Sequence, residues 1–187
     1  MEEIYEILKN TLDITNENLV KKMIEISEVV NFSKDEMILG IGEKQENVYL
    51  LMNGIARSYY LDINGNDITK TFMKESDFCI GESLFENGNS IQGFEALENI
   101  QAVKFNAKQL KEILLSNEEL THIYIDYLEK NLIYKMNRES SFQLMSATER
   151  YINFHKQYKD IENRVNQSYI ASYLGIVPES LSRIKKH

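Results

Sequence analysis

Seven of the eight glycines of this 187-residue chain fall between Gly40 and Gly93, and that clustering limits the possible folds more than any other feature. A segment so rich in glycine turns often, and the turn signals DINGND (62–67) and ENGNS (86–90) separate short apolar runs within it. VYLLMNGIARSYYL (48–61) reads as two β-rich runs broken at Asn53-Gly54, a dipeptide that suits hairpins because both residues tolerate positive φ. ITKTFM (68–73) and NIQAVKFN (99–106) add strands of period two. Many short strands with tight turns predict an antiparallel β-barrel of the double-stranded β-helix or jelly-roll type, since closure hides strand edges.

Helical patterns flank this segment, which makes the expected class α+β. Ile4, Ile7 and Leu8 mark a helix over 2–9, and Leu19, Val20, Met23 and Ile24 mark one over 16–28. KQLKEILL is a short helix, and a long one is expected from about Asn117 to Phe142. The long helix carries two apolar stripes, and two stripes require two burial surfaces. Leu120, Tyr124, Tyr127, Asn131 and Tyr134 follow a 4-3-4-3 spacing with one polar interruption, which suits a coiled-coil partner in a second copy of the chain. Ile125, Leu128, Leu132 and Met136 are then expected to pack on the barrel of their own chain, although both stripes could also serve one intramolecular core.

Charge divides by segment. Residues 1–147 carry 14 Lys and Arg against 25 Asp and Glu, whereas residues 148–187 carry 7 against 4. A net charge of −8 would argue against a polyanionic partner, but a basic end on an acidic body points that end toward one. The single cysteine, Cys79, excludes an internal disulfide, and His122, His155 and His187 lack metal-ligand spacing, so no metal site is expected. No run reaches the roughly 18 apolar residues of a membrane span, and the acidic, amphipathic MEEIYEILKN does not read as a secretory leader. A cytoplasmic protein without membrane partners is expected.

The carboxy-terminal NQSYIASYLGIVPESLSRIKKH (166–187) contains Pro178, the only proline of the chain, inside a helical pattern. With Gln167 as the first position of a helix-turn-helix, Ile170, Leu174, Ile176, Leu181 and Ile184 fall where the two helices seal against each other. Ala171 keeps the helices close and Gly175 sits where the chain passes through a left-handed turn. Pro178 starts the second helix, where its missing N–H is not needed. Glu179, Ser182 and Arg183 then point outward with Lys185 and Lys186 nearby, while Gln167 and Ser168 begin the first helix. Arginine pairs with guanine and glutamate with the cytosine amino group, and lysines suit phosphates. Val177 occupies the cap position where a Ser or Thr would help, at a cost of about 1 kcal/mol.

In order along the chain, these parts resemble the Crp/Fnr family of bacterial transcription regulators. YLLMNGIARSYY is similar to the family's Asn-Gly hairpin followed by an arginine, here Arg57; DFCIGESLFENGNS resembles its phosphate-binding cassette; and RVNQSYIASYLGIVPESLSRIKK resembles its DNA-reading unit. The resemblance implies an effector domain over 1–115, a dimerisation helix over 116–146 and a DNA-binding domain over 147–187. It further implies a non-enzymatic homodimer on a two-fold symmetric operator in double-stranded DNA, with half-sites about 34 Å apart, and leaves RNA polymerase open as a partner. Glu179 and Arg183 would read bases, and Gly81, Glu82, Ser83, Ile91 and Gln92 would line an effector pocket.

Two departures shape the expectation. In cAMP-responsive members the cassette supplies an arginine for the cyclic phosphate, and here that position is Ile91, followed by Gln92. cAMP is therefore not the expected effector, and Glu82 is expected to brace the cassette turn; another small effector, or none, stays open. Only three residues follow Ile184, so the strand pair that forms a wing in many relatives is not expected, and weaker, less salt-sensitive DNA binding is. Cys79 lies where a haem-binding relative places a ligand, but with no histidine nearby it reads as a buried thiol. Two rival readings stand beside this one: a signalling barrel whose terminal hairpin no longer binds DNA, and a cupin-like enzyme. The second is disfavoured because residues 30–106 contain no histidine.

Overall fold

The computed structural model describes residues 2–82 and 88–186. Two helices open the chain, α1 (Glu2–Leu12) and α2 (Glu17–Glu25), the second capped by Asn16, whose side chain accepts from the Asn18 N–H. The strands β1 (Ser27–Phe32), β2 (Met37–Leu39), β3 (Asn47–Asn53), β4 (Ala56–Leu61), β5 (Asp67–Met73), β6 (Phe78–Cys79), β7 (Gly93–Ala96) and β8 (Ile100–Asn106) follow. The helices α3 (Ala107–Leu115), α4 (Glu118–Leu144), α5 (Ala147–Gln157), α6 (Gln167–Leu174) and α7 (Pro178–Ile184) complete the order. The helix expected over 16–28 stops at Glu25 because the chain enters β1 two residues later, where Ser27 pairs with Phe105.

The strands form two four-stranded sheets, ordered β1-β8-β3-β6 and β2-β7-β4-β5. This jelly-roll-like arrangement corrects the expectation of a closed barrel: the hydrogen-bonded ladders end at strand edges in both sheets, and a shared apolar core joins them instead. Leu51, Ala56, Cys79, Phe94, Ala96 and Ala102 build that core. A second core lies between helices and sheet, where Leu8, Val20, Met23, Leu50, Phe105 and Leu120 are almost wholly buried. Between β3 and β4 the backbone turns at Gly54 with φ of 87°, and an added Cβ would stand 2.6 Å from the Asn99 carbonyl oxygen, so only glycine fits. Arg57 is buried beside Glu95 on β7, Nη2 to Oε2 2.8 Å, which compensates an otherwise costly interior charge.

The chain divides into two compact units, one of residues 1–58 and 72–128, the other of residues 59–71 and 129–187. This differs from the three-way division expected at 115 and 146, because α4 is one uninterrupted helix shared by both units and the end of the β4–β5 hairpin belongs with the carboxy-terminal helices.

The stripes of α4 serve the opposite faces from those expected. Leu120 is fully buried in its own chain, the Tyr127 ring meets Phe78 edge-on at 5.7 Å, and the Tyr134 hydroxyl donates to Thr71 Oγ1 at 3.1 Å. Tyr124 and Asn131 are half-buried on the same face. Ile125, Leu128, Leu132 and Met136 are exposed instead, at 43%, 36%, 58% and 59%. The assignment of the first stripe to a partner is therefore corrected: tyrosines place a hydroxyl at the edge of a core while burying the ring, and these rings pack against their own chain.

Candidate nucleic-acid interface

In the carboxy-terminal unit α5 starts with a reciprocal cap, Ser146 Oγ accepting from the Glu149 N–H while the Glu149 carboxylate accepts from the Ser146 N–H. Asn166 caps α6, which ends at Gly175 with φ of 67° and ψ of 37°. A side chain on Gly175 would be strained by that conformation and would stand 2.7 Å from the Phe142 ring, two independent reasons for glycine. Pro178 is the first residue of α7, and Val177 before it makes no side-chain cap bond. Ile170, Ala171, Leu174 and Leu181 are buried between the two helices, with Ile176 and Ile184 half-buried. Pro178, Glu179, Ser182, Arg183, Lys185 and Lys186 are exposed on α7 and its end, as are Gln167 and Ser168 on α6.

Arg183 rests along its own helix, Nε donating to the Glu179 carbonyl and Nη2 to Ser180 Oγ, both at 3.4 Å, long contacts that leave the guanidinium available. Lys185 is differently placed. Its ammonium lies 2.8 Å from the buried Glu162 carboxylate and donates to Gln167 Oε1 at 3.0 Å. Gln167 in turn donates from Nε2 to the Glu162 carbonyl. Both residues thus tie α7 to the start of α6, whereas the sequence pointed to them as DNA contacts.

Glu162 is the centre of that tie and was missed in the sequence. Its carboxylate also accepts from the Tyr151 hydroxyl at 2.9 Å and meets His155 Nδ1 at 2.5 Å. Burial alone would raise its pKa, but the hydrogen bonds from Lys185, His155 and Tyr151 outweigh it and hold the carboxyl down at about 2. An aromatic cluster of Phe154, Tyr158 and Tyr173, with centroids 5.3 to 5.8 Å apart, fills the centre of the unit. The hairpin end grips α6 directly, the Thr69 N–H donating to Ser172 Oγ at 2.9 Å.

In the other unit, the described residues of the cassette gather around its glutamate. Glu82 accepts from the Ile91 N–H at 2.5 Å, from Ser90 Oγ at 3.2 Å and from the Gln92 side-chain amide. Burial pushes its carboxyl up, yet these bonds prevail and hold it below the ordinary range. The Gly81 N–H donates to Gln45 Oε1 at 2.6 Å, and the Ile91 side chain is 66% exposed. Ser83 lies outside the described residues. Cys79 is buried, which raises its thiol pKa, as expected of an inert structural cysteine. Among the described residues no cluster of His, Cys, Asp and Glu could hold a metal, and no helix is long and apolar enough to cross a membrane.

Residues 29–117 match the model of the cyclic nucleotide-binding domain family. The chain is similar in structure to FixK2 from Bradyrhizobium japonicum, at 20% identity and a TM-score of 0.76 over 86% of this chain and 83% of that one. It is likewise similar to the c-di-GMP responsive global regulator CLP from Xanthomonas campestris, at 13% identity and a TM-score of 0.74 over 91% of this chain and 90% of that one. A CooA mutant from Carboxydothermus hydrogenoformans gives 14% identity and a TM-score of 0.73 over 96% and 82%. No curated protein sequence matches the chain significantly. The domain match over 29–117 and these structural likenesses bear out the fold that the resemblance implied.

Proposed function

We propose that this chain is a sequence-specific, DNA-binding transcription regulator of the Crp/Fnr type, not an enzyme, acting as a homodimer on a two-fold symmetric operator. The observation that carries the reading is the two-sidedness of α7: Leu181 is sealed against α6 while Glu179, Ser182 and Arg183 face solvent from the same helix. A helix held by one face and bare on the other is what entry into a major groove requires. Glu179 and Arg183 are the base readers, and Ser182, Lys186 and Ser168 face the sugar-phosphate backbone. Lys185 and Gln167 act as struts that hold α7 in place. The dimer forms through Ile125, Leu128, Leu132 and Met136 of α4, the apolar stripe left bare by the fold.

cAMP is not the effector in this reading, because the cassette offers a cyclic phosphate the Glu82 carboxylate and Ile91 where an arginine would be needed. No observation favours a signalling module that has lost DNA binding, since the exposed face of α7 keeps its charged and polar residues. The test is a gel-shift titration against the upstream region of its own gene. Wild type is expected to prefer that duplex over a random one at moderate salt, and Arg183→Ala to lose about tenfold in that preference. Equal affinity of wild type for both duplexes would overturn the reading.

A further inference from the structure

The carbonyl end of α6 is satisfied in two different ways. A helix leaves its last four carbonyls without intrahelical partners, here those of Ala171, Ser172, Tyr173 and Leu174. The turn itself serves the first two: the Ile176 N–H donates to the Ala171 carbonyl and the Gly175 N–H to that of Ser172, both at 3.0 Å. The other two are served from neighbouring helices. Arg138 of α4 donates from Nη2 to the Tyr173 carbonyl, and Arg150 of α5 donates from Nε to the Leu174 carbonyl at 3.0 Å. Arg150 also donates from Nη1 to the Met145 carbonyl at 2.7 Å, so one guanidinium joins the chain leaving α4 to the end of α6. Positive charge is favoured at a helix carboxy terminus, which strengthens both bonds to α6.

Phe142 lies against both guanidiniums. It follows Arg138 by about one helical turn and so shares its face of α4. The central carbon of the Arg138 guanidinium lies 4.6 Å from the centre of the Phe142 ring, and that of Arg150 lies 5.0 Å from it. The ring also reaches the turn, since a Cβ on Gly175 would stand 2.7 Å from it. Although 45% exposed, Phe142 thus meets every part that closes α6.

The start of α7 has little else to fix it. The helix has seven residues and Val177 gives it no side-chain cap, so neither length nor capping defines its first turn. Only Ile176 and Val177 separate Gly175 from Pro178. Whatever holds Gly175 sets where α7 begins, as Glu162 and Lys185 set where it ends.

We infer that Phe142, held by Arg138 and Arg150, is a positioning residue: through the α6–α7 turn it makes α4 set the place of the base-reading helix. For its effect on DNA the inference rests on the proposed function. Because α4 also carries the bare apolar stripe, the helix proposed to join two copies is the one that grips each reading turn.

The experiment compares the full-length wild type with Phe142→Ala, Phe142→Tyr and Gln143→Ala, the last at an exposed neighbouring position. Duplex binding is read by gel shift, and amide hydrogen exchange is read without DNA. Phe142→Ala is expected to lose about tenfold in preference for the upstream duplex, with affinity for the random duplex and its salt dependence unchanged. Its Gly175 and Ile176 amides are expected to exchange about tenfold faster, while those of α5 keep their rates. Phe142→Tyr keeps the ring and is expected to restore both readouts; Gln143→Ala is expected to change neither. Equal losses on both duplexes, faster exchange throughout the unit, or no rescue by tyrosine would mean that the ring only stabilises the fold, and would overturn the inference. Unchanged exchange at Gly175 and Ile176 in Phe142→Ala would overturn it as well. A wild type without preference between the duplexes removes the proposed function instead, and the exchange rates then decide the role of Phe142 alone.

Discussion

Glu162 has partners on both sides that would be costly to lose. It joins Lys185 at the end of α7 to Tyr151 and His155 on α5, so a single buried carboxylate sets where α7 stands relative to its own unit. Because its pKa is lowered in the folded state from the ordinary 4.5 to about 2, its contribution is complete above pH 4.5 and is lost as pH falls from there toward 2. Glu162→Gln is expected to cost about 2 kcal/mol at neutral pH. It should also flatten the acid limb of the stability curve in that window, as measured by urea denaturation at a series of pH values; an unchanged acid limb would refute the role. A glutamate in the stretch KDIENRV carries no periodic signal and acquires its meaning from partners 7 to 23 positions away, so nothing local could have marked it. Gly175 and Pro178 were legible for the opposite reason: their backbone geometry belongs to the residue itself.

At the scale of elements, period-two runs and turn dipeptides identified β3, β4, β5 and β8, because half-buried strands imprint their alternation on sequence. β2 and β6, of three and two residues, are too short to carry a pattern. The two stripes of α4 were visible, yet periodicity reports only that a face is apolar and is silent on what covers it. The hydroxyls settle the choice, since Tyr134 finds Thr71 and Tyr173 within its own unit. The bare stripe then makes a prediction: Leu132→Asp is expected to convert a dimer to a monomer in sedimentation at micromolar concentration, with helix content by circular dichroism unchanged. A wild type that sediments as a monomer, or a variant that remains dimeric, would remove this face from the assembly.

For the molecule as a whole, the order of β-rich segment, long helix and terminal helix pair was readable because each left its own local signature, whereas the open edges of the two sheets depend on long-range pairing that no window of sequence displays. The effector question also belongs to this scale. Adding cAMP is expected to leave operator affinity unchanged and to give no saturable heat in calorimetry, since Glu82 already holds the Ile91 and Gln92 donors; a stoichiometric heat would refute this.

One consequence follows from the residues that make up each unit. The carboxy-terminal unit takes in residues 59–71, which lie some sixty positions upstream of its main body. It is therefore not a module that a single cut can release: a fragment beginning after Leu128 would leave behind the loop whose Thr69 and Thr71 engage Ser172 and Tyr134. Recombination that exchanges such tails between relatives must carry a matching hairpin tip along with them, so the unit proposed to read DNA is inherited in two instalments.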